Sequence, residues 1–294
     1  MTAIDVVIPT FNSAAFVGEA VASALAQEGV AVRVFVVADG STDGTLDALP
    51  RDARVASLRQ PANAGPAAVR NRGIAAGLAP LVALLDADDV WLPGKLARQA
   101  AALAARPGAA LSCTDFFDFD AAGTLRPSML AHHRPASGRV LGRLIADPFV
   151  KTSTVVLRRA ALPSSRPFDE SLRRCEDRDL FYRLAARHEV LFDATVTTGV
   201  RRHAGQTTGD ALALDAARAR VYEKTLGWLR DGPARRAARR ALARIHADLG
   251  HRTAPADLPT AARHYARSLS LGGGLSSLRG ALAAPARRLL RRAA

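Results

Sequence analysis

At 294 residues the chain is long enough to bury a full α/β core and still carry a smaller appendage. Hydrophobic residues make up 49% of it, yet no stretch approaches the roughly 18–20 uninterrupted apolar residues that a bilayer span requires. The net charge of +14 is concentrated after residue 210, where seventeen Lys and Arg face five Asp and Glu without the stacking aromatics or recognition-helix signature of a nucleic-acid binder. An anionic membrane surface is therefore the expected partner of the basic region, and nucleic acid is not. The opening MTAIDVVIPT has no charged segment ahead of an apolar one, so the expected setting is cytoplasmic, peripheral at the inner face of the cell membrane. Cys113 and Cys175, the only two cysteines, lack metal-ligand spacing and read as thiols.

The pattern predicts a strand over residues 5–9, a helix over 15–27 and a β-branched strand over 32–38. A helix from about residue 45 and a short strand over 55–58 follow, then a helix over 66–77 and a strand over 81–85. Such alternation argues for a mainly parallel sheet with helices on both faces. Next come a helix over 93–105 and a strand-rich region, 109–203, with strands at 154–157, 190–192 and 197–201 around a helix at 177–187. From residue 211 the sequence turns Ala/Leu/Arg-rich with helical spacing, which sets the expected division into residues 1–210 and a basic helical region, 211–294. Within the latter, 241–271 reads as a helical hairpin. The end of the chain places Leu278, Leu282, Leu289 and Leu290 among Arg279, Arg287, Arg288, Arg291 and Arg292, an apolar stripe bordered by arginines that suits a headgroup layer.

In open α/β sheets the ligand crevice lies outside the carboxyl ends of the strands, and here those ends are polar. The first strand ends in Pro9-Thr10-Phe11-Asn12, the second in Asp39-Gly40-Ser41-Thr42-Asp43-Gly44, and the strand after Pro80 in Asp86-Ala87-Asp88-Asp89. Ser41, Thr42 and Asp43 fit a turn as well as a ligand site. Three acids in four residues repel one another unless a cation offsets them, which points to Mg²⁺ or Mn²⁺ completed by phosphate oxygens and water. Neither a GxxxxGK[ST] loop nor a GxGxxG after the first strand is present, so a diphosphate would be held by metal and cationic side chains.

Five segments in this order, VVIPTFN at 6–12, ADGSTDGT at 38–45, the N-x-G…RNxG stretch at 63–73, LLDADDVW at 84–91 and CEDRDLFYRL at 175–184, resemble the family 2 glycosyltransferases. The resemblance spans about the first two hundred residues. It implies a GT-A fold, an inverting mechanism, a nucleoside-diphosphate sugar donor, often a UDP-sugar, and a glycan or lipid-linked acceptor in envelope or extracellular polysaccharide synthesis. Carried over, Pro9, Thr10, Asn12 and Asp39 would line the base and ribose pocket. Arg70 would face the nucleotide, Asp86 the ribose or donor sugar, and Asp88 the metal, with His203 near metal or diphosphate. Asp177 would be the general base, with Glu176 beside it. One departure is Ala38, where the family usually has an acid. Arg72 and Asp179 also fit solvated or helix-dipole roles, and Asn71 and Gly73 fit helix packing. The Lys151-Thr152-Ser153 step borders the expected acceptor pocket. Rival readings are a sugar nucleotidyltransferase, whose glycine-rich loop is missing after the first strand, and a catalytically silent scaffold of the same fold.

Overall fold

The computed structural model describes residues 1–123, 125, 128–205 and 210–274. The chain divides into two compact units, Met1–Gln206 and Thr207–Ala294.

The first unit is built on one eight-stranded sheet. Its strands are β1 (Thr2–Thr10), β2 (Val30–Asp39), β3 (Val55–Gln60), β4 (Leu81–Leu84), β5 (Val90–Trp91), β6 (Ala109–Asp120), β7 (Val156–Arg158) and β8 (Glu189–Arg202), in the order β3-β2-β1-β4-β7-β6-β8-β5. From β3 to β4 all pairings are parallel. Beyond β4 the sheet is mixed: β7 runs antiparallel to β4 and β6, β6 and β8 are parallel, and β5 is antiparallel to β8.

Alternate residues of the parallel strands serve opposite faces. Ile4, Val6, Ile8, Val34 and Val36 join Val17, Ala20, Val21 and Ala24 of α1 (Val17–Leu25) and Leu96, Ala100 and Leu103 of α3 (Lys95–Ala105) in one core. On the other face, Val7 and Val37 pack against Gly73 of α2 (Pro66–Ala76). A Cβ on Gly73 would lie 2.5 Å from Val7 Cγ1, so only glycine lets this helix approach so closely. Helices thus cover both faces, as expected.

The structure corrects several expected elements. Residues 44–49 form turns rather than a helix, because only five residues separate Gly44, at φ 77°, from Pro50. Leu46 and Leu49 of these turns still pack on the core. The expected strand at 154–157 begins later, since Thr152–Thr154 form a 3₁₀ turn ahead of β7. The two expected strands at 190–192 and 197–201 are one strand, β8, whose register against β6 shifts at Thr114/Asp115 and Asp115/Phe116. A bulge of this kind breaks the period-2 pattern that sequence reading depends on. Between β6 and β7 lies α4 (Leu141–Ala146), and α5 (Glu176–Ala185) precedes β8.

The second unit holds α6 (Ala211–Trp228), α7 (Pro233–Thr253) and α8 (Leu258–Ser270). Asp210 and Asp257 cap α6 and α8 by accepting from the N–H groups of Ala213 and Thr260. The expected hairpin is α7 with α8: the Tyr265 ring sits where a Cβ on Gly250 would lie, and Ser268 Oγ donates to Ala243 O at 2.6 Å. The leucine and arginine stripe from Leu278 onward lies outside the described residues. No helix among the described residues is long and apolar enough to cross a membrane.

Candidate active site

The loops after β1 and β2 are tied to each other. Asn12, in the left-handed region at φ 48°, donates its N–H to Ser41 Oγ and accepts from Thr42 N–H at 2.9 Å. Asp43 accepts from the N–H groups of Ala14 and Thr45, both at 3.0 Å, and from the Thr45 hydroxyl, while Ser13 N–H donates to Thr45 Oγ1. Of the two readings open for Ser41, Thr42 and Asp43, the geometry supplies the structural one. Asp43 lies below its ordinary carboxylate value, chiefly through the Thr45 hydroxyl.

Asp39 ends β2 and is buried. Its two oxygens accept from Ala64 and Gly65 N–H, each at 2.8 Å. Gly40 turns the chain at φ 74°, where a Cβ would meet the backbone of Ala62 and Asn63. Across from Asp39, Pro9 and Thr10 end β1; Thr10 is buried and its hydroxyl has no hydrogen-bond partner among the described residues. A buried polar atom without a partner is costly, and a ligand hydroxyl or carbonyl at this strand end would satisfy it.

The acids after β4 part company. Asp86 Oδ1 pairs with Arg70 Nη2 at 2.7 Å. Asp88 Oδ2 lies 3.0 Å from His203 Nε2, both side chains 26% exposed. Asp89 is buried, accepting from Ser153 Oγ at 2.5 Å and from Arg201 N–H at 3.0 Å. Burial pushes Asp89 up to about 7 against the pull of Lys151, with Asp86 and Asp88 adding to the rise. Sequence proximity alone had pointed to an external cation, but Arg70 and Lys151 already offset much of the repulsion. The repulsion therefore does not by itself require a metal, and the Asp88–His203 pair is the candidate metal site. A carboxylate and an imidazole facing each other at the crevice are a chemically suitable donor set for Mn²⁺ or Mg²⁺ completed by phosphate and water. Among the described residues no group of three or more His, Cys, Asp or Glu is disposed to hold a metal.

Around His203 the neighbouring Arg201 and Arg202 are joined by Phe16, Glu19, Asp118 and Phe119, which have no sequence signal. The Phe16 ring stacks on His203 at 4.8 Å, and Arg201 lies over Phe16 and Phe119 while donating to Asp88 O at 3.0 Å and pairing with Glu19. Arg202 binds Asp118 through two contacts of 2.8 Å.

Facing these acids, α5 opens with Glu176 and Asp177. It follows Cys175, which is held in the left-handed region at φ 61°. Arg70 Nη1 pairs with Glu176, so one buried guanidinium joins Asp86 to Glu176. Burial alone would lower Arg70, but the charges of Asp86, Glu176 and Asp177 hold it above its ordinary value. Burial pushes Glu176 up to about 7 against the pull of Arg70, with Asp177 adding to the rise. Asp177 feels the same burial, yet Arg70, the Thr152 hydroxyl at 2.7 Å and Arg178 outweigh it and leave its carboxyl below the ordinary range. Beside it, burial opposes but does not overcome the attraction of Asp89, Asp86 and Asp177 that raises Lys151.

Asn71 proves to be more than a helix-packing residue. Its amide donates to Phe168 O at 2.9 Å and to Glu170 Oε1 at 2.8 Å and accepts from Phe168 N–H, stapling the segment that leads into α5. Asp179 pairs with Arg183 one turn on. Arg72 reaches Gln60 in an exposed contact.

The structure thus gathers Pro9, Thr10, Asn12, Asp39, Arg70, Asp86, Asp88, Glu176, Asp177 and His203 around the strand ends of one sheet. The model of the family described as Glycosyl transferase family 2 matches residues 5–163. A curated relative, the succinoglycan biosynthesis protein ExoO of Rhizobium meliloti (strain 1021), is 44% identical over 95 residues, 31% of this chain and 27% of its own length. The chain therefore spans about a quarter of that relative. Among solved structures, S. aureus TarS 1-349 in complex with UDP-GlcNAc has a TM-score of 0.66 at 20% identity, covering 92% of this chain and 81% of that one. The mannosyltransferase PcManGT from Pyrobaculum calidifontis, in complex with GDP-Man and Mn²⁺, has a TM-score of 0.61 at 21% identity, covering 97% and 79%. These likenesses show the fold, which is the GT-A arrangement expected from the motifs.

Proposed function

Because the chain belongs to glycosyl transferase family 2, we propose that it is an inverting glycosyltransferase moving a sugar from a nucleoside-diphosphate donor, a UDP-sugar by preference, to an acceptor hydroxyl in envelope or extracellular polysaccharide synthesis. The observation that carries this reading is the buried Arg70, which joins the Asp86-to-Asp88 segment to the Glu176-Asp177 segment and so sets donor side and acid side in one crevice. Names of similar proteins agree in chemistry: one acts in succinoglycan biosynthesis, and two bind sugar nucleotides.

In this reading the acceptor oxygen attacks the anomeric carbon as the bond to the diphosphate breaks, and its proton passes to Asp177. That carboxyl lies below its ordinary range and is therefore ionised at neutral pH, free to accept the proton. Thr152 Oγ1 fixes one of its oxygens, which limits the directions from which a hydroxyl can approach. Thr10 and Asp39 border the nucleoside, with Asp39 already committed to the 64–65 backbone, so that it both shapes the pocket and offers its remaining lone pairs to a base N–H. Asp88 and His203 would hold Mn²⁺ or Mg²⁺, whose charge would stabilise the departing diphosphate.

The exposed Arg236, Arg239, Arg240 and Arg244 of α7 support peripheral attachment of the helical unit to an anionic membrane. The test of function is binding and turnover on one preparation: thermal shift against a panel of nucleoside diphosphates and their sugars with and without Mn²⁺, then release of nucleoside diphosphate from any sugar nucleotide that binds. Metal-dependent stabilisation with slow donor hydrolysis is expected. Stabilisation without any turnover would favour a silent scaffold, and full turnover after exhaustive chelation would remove the metal from the mechanism.

A further inference from the structure

Lys95 is fully buried, yet no carboxylate lies in salt-bridge reach of it among the described residues. Burial pulls its ammonium from an ordinary 10.5 down to about 7. Desolvating this group is expensive, and a Leu or Met at the same place on the apolar side of α3 would fill the space without that cost.

Lys95 and its two side-chain neighbours, Gln99 and Trp91, each reach one short segment. Lys95 Nζ donates to Gln99 Oε1 at 2.5 Å and to Thr154 O at 3.2 Å, and lies 4.6 Å from the Trp91 ring. Gln99 Nε2 donates to Thr154 O at 3.0 Å and to Ser112 O at 2.8 Å, and Trp91 Nε1 donates to Ser153 O at 2.7 Å. Two successive carbonyls of the 3₁₀ turn are thus held by side chains of β5 and α3. The hydroxyls of the same turn serve the acids: Thr152 Oγ1 donates to Asp177, while Ser153 Oγ donates to Asp89 and accepts from Asp86 N–H at 3.1 Å. The turn has no long ladder of its own to fix it. Thr154 closes it on Lys151 O through its N–H at 3.0 Å and its hydroxyl at 2.6 Å, and Val155 N–H donates to Thr152 O at 3.1 Å.

We propose that Lys95, with Gln99 and Trp91, is a positioning group that clamps the 151–154 turn from the core side and so sets Thr152 against Asp177 and Ser153 against Asp86 and Asp89. Either protonation state of Lys95 can donate to Thr154 O, so the clamp holds on both sides of neutrality. Its effect on rate rests on the glycosyl-transfer reading above; the clamp itself does not.

The test compares the full chain with a Lys95→Met, Gln99→Leu double variant, which replaces both polar side chains with apolar groups of similar length and takes from Thr154 O its two side-chain donors. Amide exchange at Thr154 and Val155 is expected to rise at least about tenfold. In the same variant kcat per folded molecule, with the folded fraction measured on the same sample, is expected to fall about tenfold or more, with KM for the sugar nucleotide within about threefold. Trp91→Phe, which removes only the donor to Ser153 O, is expected to shift both readouts in the same direction by less. Exchange at Thr154 and Val155 equal to wild type would overturn the clamp whatever the activity. Faster exchange with unchanged kcat would overturn its part in the reaction. A wild-type protein with no turnover on any donor would defeat the glycosyl-transfer reading, while the exchange measurement would still decide the clamp.

Discussion

The loops after β1 and β2 bind one another through side chains roughly thirty residues apart, whereas α5 and the segment before it are bound to the parallel half of the sheet by partners 97 and 106 residues distant. On the donor side, polar groups are spent on each other's backbone: Asp39 on Ala64 and Gly65, Asn12 on Thr42, Asp43 on Ala14. On the acid side, the Asn71 amide holds Phe168 and Glu170, and a charged contact, Arg70 to Glu176, joins α2 to α5. A scaffold of neutral and charge-assisted backbone contacts tolerates the loss of one member. A seam in which one buried guanidinium serves two carboxylates tolerates its loss less well.

Substitutions should separate the two sides. The largest effect is expected for Asp177→Asn, which keeps the size of the side chain but cannot take the acceptor's proton. Transfer in single turnover should fall about 10²–10⁴-fold while calorimetric affinity for UDP with Mn²⁺ moves little. Normal transfer by this variant would pass the role to Glu176 or remove it from this helix. Next is Arg70→Met, which leaves Asp86 and the buried Glu176 without their cation. A loss of about 3–5 kcal/mol in urea unfolding is expected, and a loss below 1 kcal/mol would mean that the seam is held by something else. Gly73→Ala tests the donor side, where a Cβ would press on Val7. About 1–3 kcal/mol is expected from overpacking, with turnover of the surviving protein near normal.

The mildest test is the pH dependence of stability. Glu176, raised by burial from 4.5 to about 7, binds more protons in the folded chain than in the unfolded chain between those values. Its contribution to stability is therefore present below pH 4.5 and is lost as pH rises through 7. Lys95, lowered by burial from 10.5 to about 7, binds fewer protons when folded, so its contribution grows as pH rises from 7 to 10.5. From these two groups the urea midpoint should dip near neutrality. Lys95→Met should erase the alkaline recovery, and an unchanged alkaline limb would contradict the buried position of Lys95.

The parallel half was legible because its inner strands are largely buried on both faces and read as short apolar runs ending in polar motifs, as 32–38 and 81–85 do. The mixed half was not, since β6 carries Asp115, Asp118 and Asp120 through its length and slips register against β8, so no period survives to be read. Among site residues, Asp39, Asp88 and Asp177 stand in segments that resemble the family's motifs. Thr152 was flagged only as a border of the acceptor pocket, and its bond to Asp177 has no sequence signal. Lys95 did carry one that went unused: with Gln99 and Leu103 it recurs every four residues along the apolar side of α3, where a lysine has no business unless something meets its nitrogen.

Arg70 also bears on the order of events during synthesis. It lies in α2, whose packing partners β1 and β2 precede it in the chain, so the parallel half can begin to assemble as soon as those residues have emerged. Glu176 follows Arg70 by 106 residues. Until then the guanidinium has Asp86 but not its second carboxylate, and the surface that will become the crevice faces water. Closing so long a loop costs entropy that only the finished seam repays. A nascent chain arrested before α5 should therefore keep α2 protected from amide exchange while leaving the Arg70 end of the crevice open to proteases.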